Sequence, residues 1–154
     1  MNRMSSCIAA LFVIACLFAS GNLWSGQPVT PDNGQSLVGK WENQLGSTLS
    51  IEKIDEETGQ ITGKYSSPSG TAGEEFPLMG WVNESPKMEG KDNVPVIEFS
   101  VRWGKYRSIT SWTGYCDEDN GKRTLVMQWH LVRPNSGNRW DHVLTGQDRF
   151  TPVR

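Results

Sequence analysis

The sequence predicts an all-β fold, an eight-stranded antiparallel up-and-down β-barrel over residues 37–154. Three observations predict this fold. Short segments alternate between apolar and polar residues, as strands with one buried face do. Clusters of Gly, Pro, Asn, Asp and Ser separate these segments at close spacing, and no stretch after Leu37 has helical periodicity. The length leaves room for about eight strands, the number that closes a small barrel around a cavity for one ligand.

Residues 1–21 are predicted to be a signal peptide. Arg3 precedes an apolar run over residues 7–19, and small residues follow at Ser20 and Gly21. Because the run is shorter than the about 20 residues that span a bilayer, we expect no membrane span.

Residues 22–36 are predicted to be a flexible leader, since Gly, Pro, Asn, Asp and Ser dominate them. Signal cleavage is expected at about residues 21–26, so the barrel should be secreted, to an extracellular or periplasmic location. The alternative is a lipid anchor on Cys16, because residues 13–16 are typical of a lipoprotein cleavage site. Loss of the signal leaves Cys116 without an internal disulfide partner.

The charge balance excludes one class of partner. The net charge is -2, with no basic stripe and no block of like charge, so no nucleic acid is expected to bind. Two histidines and one mature cysteine without ligand spacing also predict no metal site.

The first strand is predicted in the stretch 41–52, where every second residue falls on one side of an extended chain. That side carries Asn43 and Ser47 among apolar residues. On a straight strand these two side chains lie about 13 Å apart, so we expect the barrel's curvature or a bend at Gly46 to bring them together.

Later strands place their alternate residues inward in the same way, with a change of parity after Trp103. The predicted inward residues are Ile61, Gly63, Tyr65, Ser67; Ile97, Phe99, Val101, Trp103; Ser108, Thr110, Trp112, Gly114; Leu125, Met127, Trp129, Leu131; and Leu144, Gly146, Asp148, Phe150.

This interior predicts a small-molecule site, because polar groups converge among tryptophans. The polar residues are Asn43, Ser47, Tyr65, Ser67, Ser108, Thr110 and Asp148, and the aromatic wall is Trp103, Trp112 and Trp129. Buried polar groups need partners in each other, in water or in a ligand. Donors from Asn, Ser and Tyr with an Asp acceptor suit a urea-like or amide-like head group. Taken singly, a buried Ser can bond to backbone and a Trp can be core, so the joint placement carries the prediction.

Several motifs together resemble the avidin and streptavidin family of biotin-binding barrels. They occur in that family's order and spacing from Leu37 to the C-terminus: LVGKWENQLGSTLSI, ITGKYSS, FSVRW, TSWTG, QWHL and RWDHVLTGQDRFT. The resemblance implies an avidin-like β-barrel that binds biotin without a cofactor and without catalysis.

The resemblance also implies a role for each matching residue. Asn43, Ser47 and Tyr65 would bind the ureido oxygen, Asp148 and Ser67 would accept from the ureido N–H groups, and Thr110 would face the sulfur. Trp103, Trp112 and Trp129 would pack the ring and tail, with Leu45 and Leu131 as apolar lining. The tail carboxylate would meet Ser108, Gly70 and Thr71.

Assembly is a further implication of the resemblance. Trp140 is placed like the tryptophan that family members lend to a neighbouring subunit's pocket, which implies a homotetramer, with a dimer as the alternative. Gln35 stands where the animal avidins have a cysteine that pairs with one placed like Cys116, so that disulfide is not expected. Partly apolar outward residues on the last two strands suit a barrel-to-barrel contact; they are Val126, Gln128, His130, Val132, Val143, Thr145 and Gln147.

Two other functions compete with biotin binding. A lipocalin-like carrier would also have the motif at residues 39–41, although inward polar groups argue against a purely lipidic ligand. A small secreted glycosidase would need two inward acids, and Asp148 has no second. Glu42, Glu98 and His130 face outward by parity, whereas His142 could face inward.

Overall fold

A computed structural model describes residues 37–84, 86 and 88–153 of the chain. The predicted signal peptide (1–21), its cleavage region, the leader (22–36) and the lipidation site at Cys16 lie outside the described residues. Within the described part, no helix is long and apolar enough to cross a membrane.

Eight β-strands form a closed barrel in which each strand pairs antiparallel with the next, and the last pairs with the first. This confirms the predicted fold class. The strands are β1 (Gly39–Asn43), β2 (Thr48–Ile54), β3 (Gln60–Ser66), β4 (Glu75–Asn83), β5 (Val96–Trp103), β6 (Ser108–Asp119), β7 (Lys122–Val132) and β8 (Val143–Pro152).

The stretch 41–52 is a β-hairpin, so the prediction of a single strand is wrong. The chain reverses between Asn43 and Ser47, with Gly46 in the left-handed region at φ 78°. Glu42 then pairs with Thr48 across the hairpin. Because both members of a pair have even numbers or both have odd numbers, the inward residues keep their alternation through the reversal. The alternation of inward and outward residues therefore continues through the turn, although the chain forms two strands there and not one.

Strand β4 is a second difference from the prediction, because the sequence analysis assigned no strand there. Its inward residues alternate as expected of a strand with one buried face: Phe76, Leu78, Gly80 and Val82 are buried, and the residues between them are exposed. Pro77 interrupts the run with a residue that is unfavourable in strands. Division of the first predicted strand and addition of β4 bring the strands to eight.

Connections between strands range from a two-residue loop to the segment 84–95 between β4 and β5. Asn120 and Gly121 both have positive φ, 51° and 73°, and form a two-residue hairpin loop between β6 and β7. In the part of the chain that the structure describes, the other connections contain one α-helical turn, α1 (Pro68–Thr71), and two 3₁₀ turns, Gly104–Tyr106 and Arg139–His142.

The barrel interior is divided into a core and a cavity. Leu49, Ile61, Phe99, Leu125 and Phe150 are completely buried and form the centre of the apolar core. Cys116 is also buried, with a free thiol whose pKa is raised by its burial. The cavity occupies the end of the barrel at which β1, β3, β5 and β7 end.

Candidate functional site

A cavity of about 370 Å³ opens at this end of the barrel. Its lining includes every site residue predicted from the sequence for the barrel interior and rim except Gly70, which lies in α1 between two lining residues. The lining residues are Asn43, Leu45, Ser47, Tyr65, Ser67, Ser69, Thr71, Trp103, Tyr106, Ser108, Thr110, Trp112, Trp129, Leu131 and Asp148.

Asn43 holds the turn of the β1–β2 hairpin and faces the cavity at the same time. Its Oδ1 accepts hydrogen bonds from the backbone N–H groups of Leu45 (3.0 Å) and Ser47 (2.8 Å), which fixes the amide plane. Its Nδ2 donates to Oδ1 of Asp148 at 3.0 Å. An amide nitrogen has two hydrogens, so one donor remains for a ligand. The hairpin thus brings Asn43 and Ser47 together, as was expected of a bend at Gly46.

Asp148 is a buried carboxylate that protein donors surround. Besides the bond from Asn43, Oδ2 accepts from Trp112 Nε1 at 2.8 Å, and Oδ1 accepts from Gln44 Nε2 at 3.3 Å. These donors offset the cost of removing a carboxylate from water. The bond to Trp112 also fixes the plane of an indole that lines the cavity.

Gln44 is a contributor that the sequence pattern placed on the outer face. Besides its contact with Asp148, its side-chain amide pairs with the backbone of β8, since Nε2 donates to the Gln147 carbonyl at 3.2 Å and Oε1 accepts from Arg149 N–H at 3.0 Å. Alternation predicts the direction in which a side chain leaves the backbone, whereas a long Gln side chain can bend back to the neighbouring strand. The position of Gln44 next to Asn43 was the feature of the sequence that could have indicated this role.

Hydroxyl groups line the opposite side of the polar end. Ser47 Oγ donates to Ser67 Oγ at 3.2 Å, and Ser67 Oγ also accepts from the Ser69 N–H at 3.3 Å, which caps α1. Burial raises the pKa of the Tyr65 hydroxyl well above its ordinary value; a hydrogen bond with Ser47 lowers it, and the negative charge of Asp148 raises it again. The phenol is therefore a neutral donor at physiological pH.

Aromatic rings form the walls of the cavity. The rings of Trp112 and Phe99 stack at 4.8 Å with an interplanar angle of 15°, and Tyr65 lies 4.7 Å from Trp112 on a tilted plane. Trp103 donates from Nε1 to Thr110 Oγ1 at 2.7 Å, so its indole is fixed as well. These partners hold flat apolar surfaces in place before any ligand arrives.

Trp129 lies on a glycine. A Cβ built on Gly146 would lie only 2.4 Å from the indole Cζ2 of Trp129, so the absence of a side chain lets the indole approach the β8 backbone closely. Trp129 also lines the cavity, so this contact lies at one of its walls.

The polar groups of the site find their partners in each other. Among the described residues, no buried side-chain nitrogen or oxygen lacks a hydrogen-bond partner. A ligand is therefore not needed to satisfy unpaired buried polar groups. The evidence for a ligand is the open volume together with donors and acceptors that are aimed at it.

The rim contains residues that the sequence pattern missed. Ser69 in α1 and Tyr106 in the 3₁₀ turn after β5 both line the cavity, and Tyr106 is 41% exposed. Leu45, which was predicted as apolar lining, also lies on the rim, at the tip of the β1–β2 hairpin, and is 66% exposed. Tyr106 lies between two strands that supply site residues, and this position could have indicated that it reaches the rim.

Trp140 and His142 lie outside this cavity, on the 3₁₀ turn before β8. Trp140 is 80% exposed. His142 Nδ1 lies 2.9 Å from the Arg133 carbonyl oxygen, so His142 does not turn into the barrel. Arg133 also forms an ion pair with Asp141 at 3.2 Å, which fixes the connection that carries Trp140.

The closed barrel and its polar and aromatic cavity define a small-molecule binding protein. Among the described residues, no group of three or more His, Cys, Asp or Glu side chains is arranged to hold a metal ion. Among the lining residues that the structure describes, Asp148 is the one acidic residue.

Comparisons with known proteins identify the family. The model of the Avidin family matches residues 31–153, and the chain belongs to this family. Avidin from Gallus gallus is 36% identical over 126 residues, which cover 77% of this chain and 79% of avidin. Afifavidin from Afifella pfennigii is 29% identical over 168 residues, covering 99% of this chain and 94% of afifavidin. The crystal structure of xenavidin matches with a TM-score of 0.62 and 29% identity, covering 77% of this chain and 98% of xenavidin.

Proposed function

We propose that the barrel cavity binds biotin non-covalently and with high affinity. The single observation that carries the proposal is the convergence of donors and acceptors at one end of an aromatic cavity. In this proposal the remaining amide N–H of Asn43 and the Tyr65 hydroxyl donate to one ureido oxygen, and Ser47 joins them by turning its hydroxyl hydrogen from Ser67 to the ligand. Asp148 and Ser67 accept from the ureido N–H groups. Membership of the avidin family supports the same ligand.

The rest of the ligand would follow the length of the cavity. In this proposal the ring system packs between Trp103, Trp112 and Trp129, with Thr110 facing the sulfur and Leu45 and Leu131 completing the apolar wall. The tail would reach Ser108, Gly70 and Thr71 at the rim. All of these residues except Gly70 are in the cavity lining.

Preorganisation is the physical basis for expecting high affinity. Asn43 is fixed by three hydrogen bonds, and the indoles of Trp103 and Trp112 are each fixed by one. Because these side chains are already ordered, binding avoids most of the entropy cost of about 0.5–1.5 kcal/mol for each immobilised side chain.

A fluorescence titration tests the proposal against a lipocalin-like carrier. We expect biotin to shift or quench the tryptophan emission, and a fatty acid to leave it unchanged. Trp112→Phe should lose most of the response, whereas Trp81→Phe, on the exposed outer face of β4, should keep it. A response to the fatty acid without a response to biotin would contradict the proposal and favour the carrier.

Binding without catalysis is part of the proposal. A glycosidase needs two carboxyl groups around the scissile bond, and among the described residues of the cavity lining only Asp148 has a carboxyl group. We expect no turnover of chromogenic glycosides or esters. Turnover that disappears in Asp148→Asn would contradict this part.

For assembly, we propose a homotetramer in which Trp140 closes the pocket of a neighbouring subunit. Its exposure on an ion-paired connection supports this role. Sedimentation of the wild-type protein should give the mass of four chains, and Trp140→Ala should release biotin faster. A dimer whose release rate is unaffected by Trp140→Ala would contradict the assembly.

For localisation, we propose export with cleavage at about residues 21–26. Mass spectrometry of the exported protein should give an N-terminus in that range. A lipid-modified Cys16 at the N-terminus would favour the anchored alternative.

A further inference from the structure

Strand β8 extends past the end of β1 at the place where the barrel closes. Strand β1 ends at Asn43, which pairs with Phe150, whereas β8 begins at Val143. The paired residues between the two strands are Trp41 with Pro152, Glu42 with Thr151 and Asn43 with Phe150. Within the described chain, the edge of β8 before Phe150 therefore presents backbone groups towards β1 beyond the last residue pair of the ladder.

The side chain of Gln44 continues this ladder. Its Nε2 donates to the Gln147 carbonyl at 3.2 Å, and its Oε1 accepts from the Arg149 N–H at 3.0 Å. A side-chain amide carries the same kinds of donor and acceptor as a peptide group. One side chain therefore takes the place of the next backbone partner of β8.

The same amide reaches the carboxylate between these two backbone groups. Gln44 Nε2 lies 3.3 Å from Asp148 Oδ1, and its two hydrogens serve this oxygen and the Gln147 carbonyl. Asp148 is 4% exposed and lines the cavity, whereas Gln44 is exposed and is not part of the lining. Gln44 thus contacts the carboxylate from outside the cavity.

The carboxylate plane needs such contacts, because the terminal torsion of an Asp side chain is broad and has no sharp preferred angle. Asn43 and Gln44 both donate to Oδ1, at 3.0 and 3.3 Å, and Trp112 donates to Oδ2 at 2.8 Å. Three donors from different directions hold both oxygens. Removal of one donor would leave the plane less restricted.

We propose that Gln44 is a positioning residue that aims the Asp148 carboxylate at the N–H groups of the bound ligand. Asp148 contacts the ligand, and Gln44 acts only through it. The proposal rests on the proposed function, because it requires a ligand with N–H donors at the polar end of the cavity.

Gln44→Ala should weaken binding by a moderate factor. We expect the Kd for biotin amide to rise about 5- to 20-fold, less than the full value of a hydrogen bond to a charged group, because Asn43 and Trp112 still hold the carboxylate. Biotin amide is the probe because its neutral tail does not titrate. The matched control is Gln60→Ala on the outer face at the start of β3, which should change Kd less than about 2-fold.

Gln44→Glu adds a pH dependence that a purely structural role would not produce. A Glu carboxyl ionises near pH 4.3, and the negative charge of Asp148 raises the pKa of a carboxyl placed beside it. When protonated, the new carboxyl can donate and accept as the amide does, and when ionised it repels Asp148. The ratio of the Kd of this variant to that of the wild type should therefore rise from about 3-fold or less at pH 4.5 to about 30-fold at pH 8.

A double-mutant cycle tests whether Gln44 acts through Asp148. In the Asp148→Asn background the carboxylate is absent, so the further change Gln44→Ala should raise Kd no more than about 2-fold. Calorimetry or competition binding gives Kd for the four proteins. Urea denaturation of the same proteins separates a loss of stability from a loss of affinity.

The outcomes distinguish this role from the proposed function. A raised Kd in Gln44→Ala, a pH-dependent ratio in Gln44→Glu and a non-additive cycle would support the positioning role. Wild-type affinity in Gln44→Ala, a ratio that is constant between pH 4.5 and 8, or an additive cycle would overturn it and leave the ligand assignment standing. Failure of the wild-type protein to bind biotin amide and biotin would overturn the proposed function itself.

Discussion

The side-chain amide nitrogen of Asn43 lies 3.0 Å from Oδ1 of Asp148, although 105 positions separate the two residues in the chain. This hydrogen bond joins β1 to β8, the pair of strands at which the barrel closes. The same two side chains face the cavity. The contact that closes the fold is therefore also part of the polar end of the candidate site.

Asp148→Asn should weaken both the fold and the site. In the wild type the protein donors bond to two carboxylate oxygens, whereas the amide has only one acceptor oxygen. Its NH₂ group would also lie against one of the protein donors. Hydrogen bonds to buried charged groups contribute about 1.5–3 kcal/mol each, so we expect the free energy of unfolding to fall by about 2–4 kcal/mol. Urea denaturation measures this, with Asp92→Asn on an exposed loop as the control. Equal stability of Asp148→Asn and wild type would contradict the role of the carboxylate.

Gly46→Ala tests the hairpin that replaced the predicted strand. At φ 78° an alanine is strained, although the space is open, since the nearest atom to the added Cβ is Pro68 Cγ at 3.8 Å. We expect a loss of about 1 kcal/mol in stability from the backbone alone. Gly137→Ala, where no atom lies within 4 Å and φ is outside the left-handed region, should cost much less. Equal costs at the two positions would count against the left-handed turn.

Gly146→Ala should change the cavity by moving a tryptophan. The added methyl group would overlap the Trp129 indole. Because Trp129 lines the cavity, we expect the ring to move towards the open space there. We expect biotin affinity to fall by about 5- to 140-fold, since overpacking costs about 1–3 kcal/mol and 1.4 kcal/mol corresponds to a factor of ten. Titration calorimetry gives the affinity, and Gly104→Ala, with open space around the added methyl group, is the control. Unchanged affinity in Gly146→Ala would show that Trp129 does not set the width of the pocket.

Tyr65 should make stability fall at alkaline pH. Burial raises its pKa in the folded state, whereas the unfolded chain ionises near pH 10. Above about pH 10 the unfolded state releases a proton that the folded state keeps, so the free energy of unfolding decreases, by up to about 1.4 kcal/mol per pH unit from this residue. Below that pH the residue has no such effect.

Urea denaturation of the wild-type protein and Tyr65→Phe between pH 8 and 11.5 isolates this contribution. The raised pKa values of Lys64 and Lys105 act on stability with the same sign, but they are present in both proteins and cancel in the difference. The free energy of unfolding of the wild type should therefore fall relative to that of Tyr65→Phe as the pH rises above about 10. Parallel curves over the whole range would contradict a buried, neutral phenol.

Inward-facing residues could be predicted from the sequence because successive side chains of a strand point to opposite faces of the sheet. Tyr65, Thr110 and Trp112 are buried as their parity requires. The hairpin at Gly46 could not be distinguished from a continuous strand, since reversal preserved the parity of the inward residues. Strand β4 was hidden by Pro77, which is unfavourable within a sheet.

Partners across the barrel could not be predicted, because they depend on how the strands pair. Gln44 bonds to Asp148 and to the backbone of β8 only because β1 and β8 close the barrel in this register. Tyr106 reaches the cavity rim because a 3₁₀ turn directs it there. The family resemblance predicted residues that line the cavity, and the structure shows the hydrogen bonds that hold them.

The central claim is that the polar end of the cavity recognises a ureido group. Titration calorimetry of the wild-type protein with biotin and with an analogue that lacks the urea tests it most directly. We predict saturable heat with one biotin per chain and a loss of several orders of magnitude in affinity for the analogue, because Asn43, Tyr65 and Asp148 would be left without ligand partners. Equal affinity for the two compounds, or no heat with biotin, would contradict the claim.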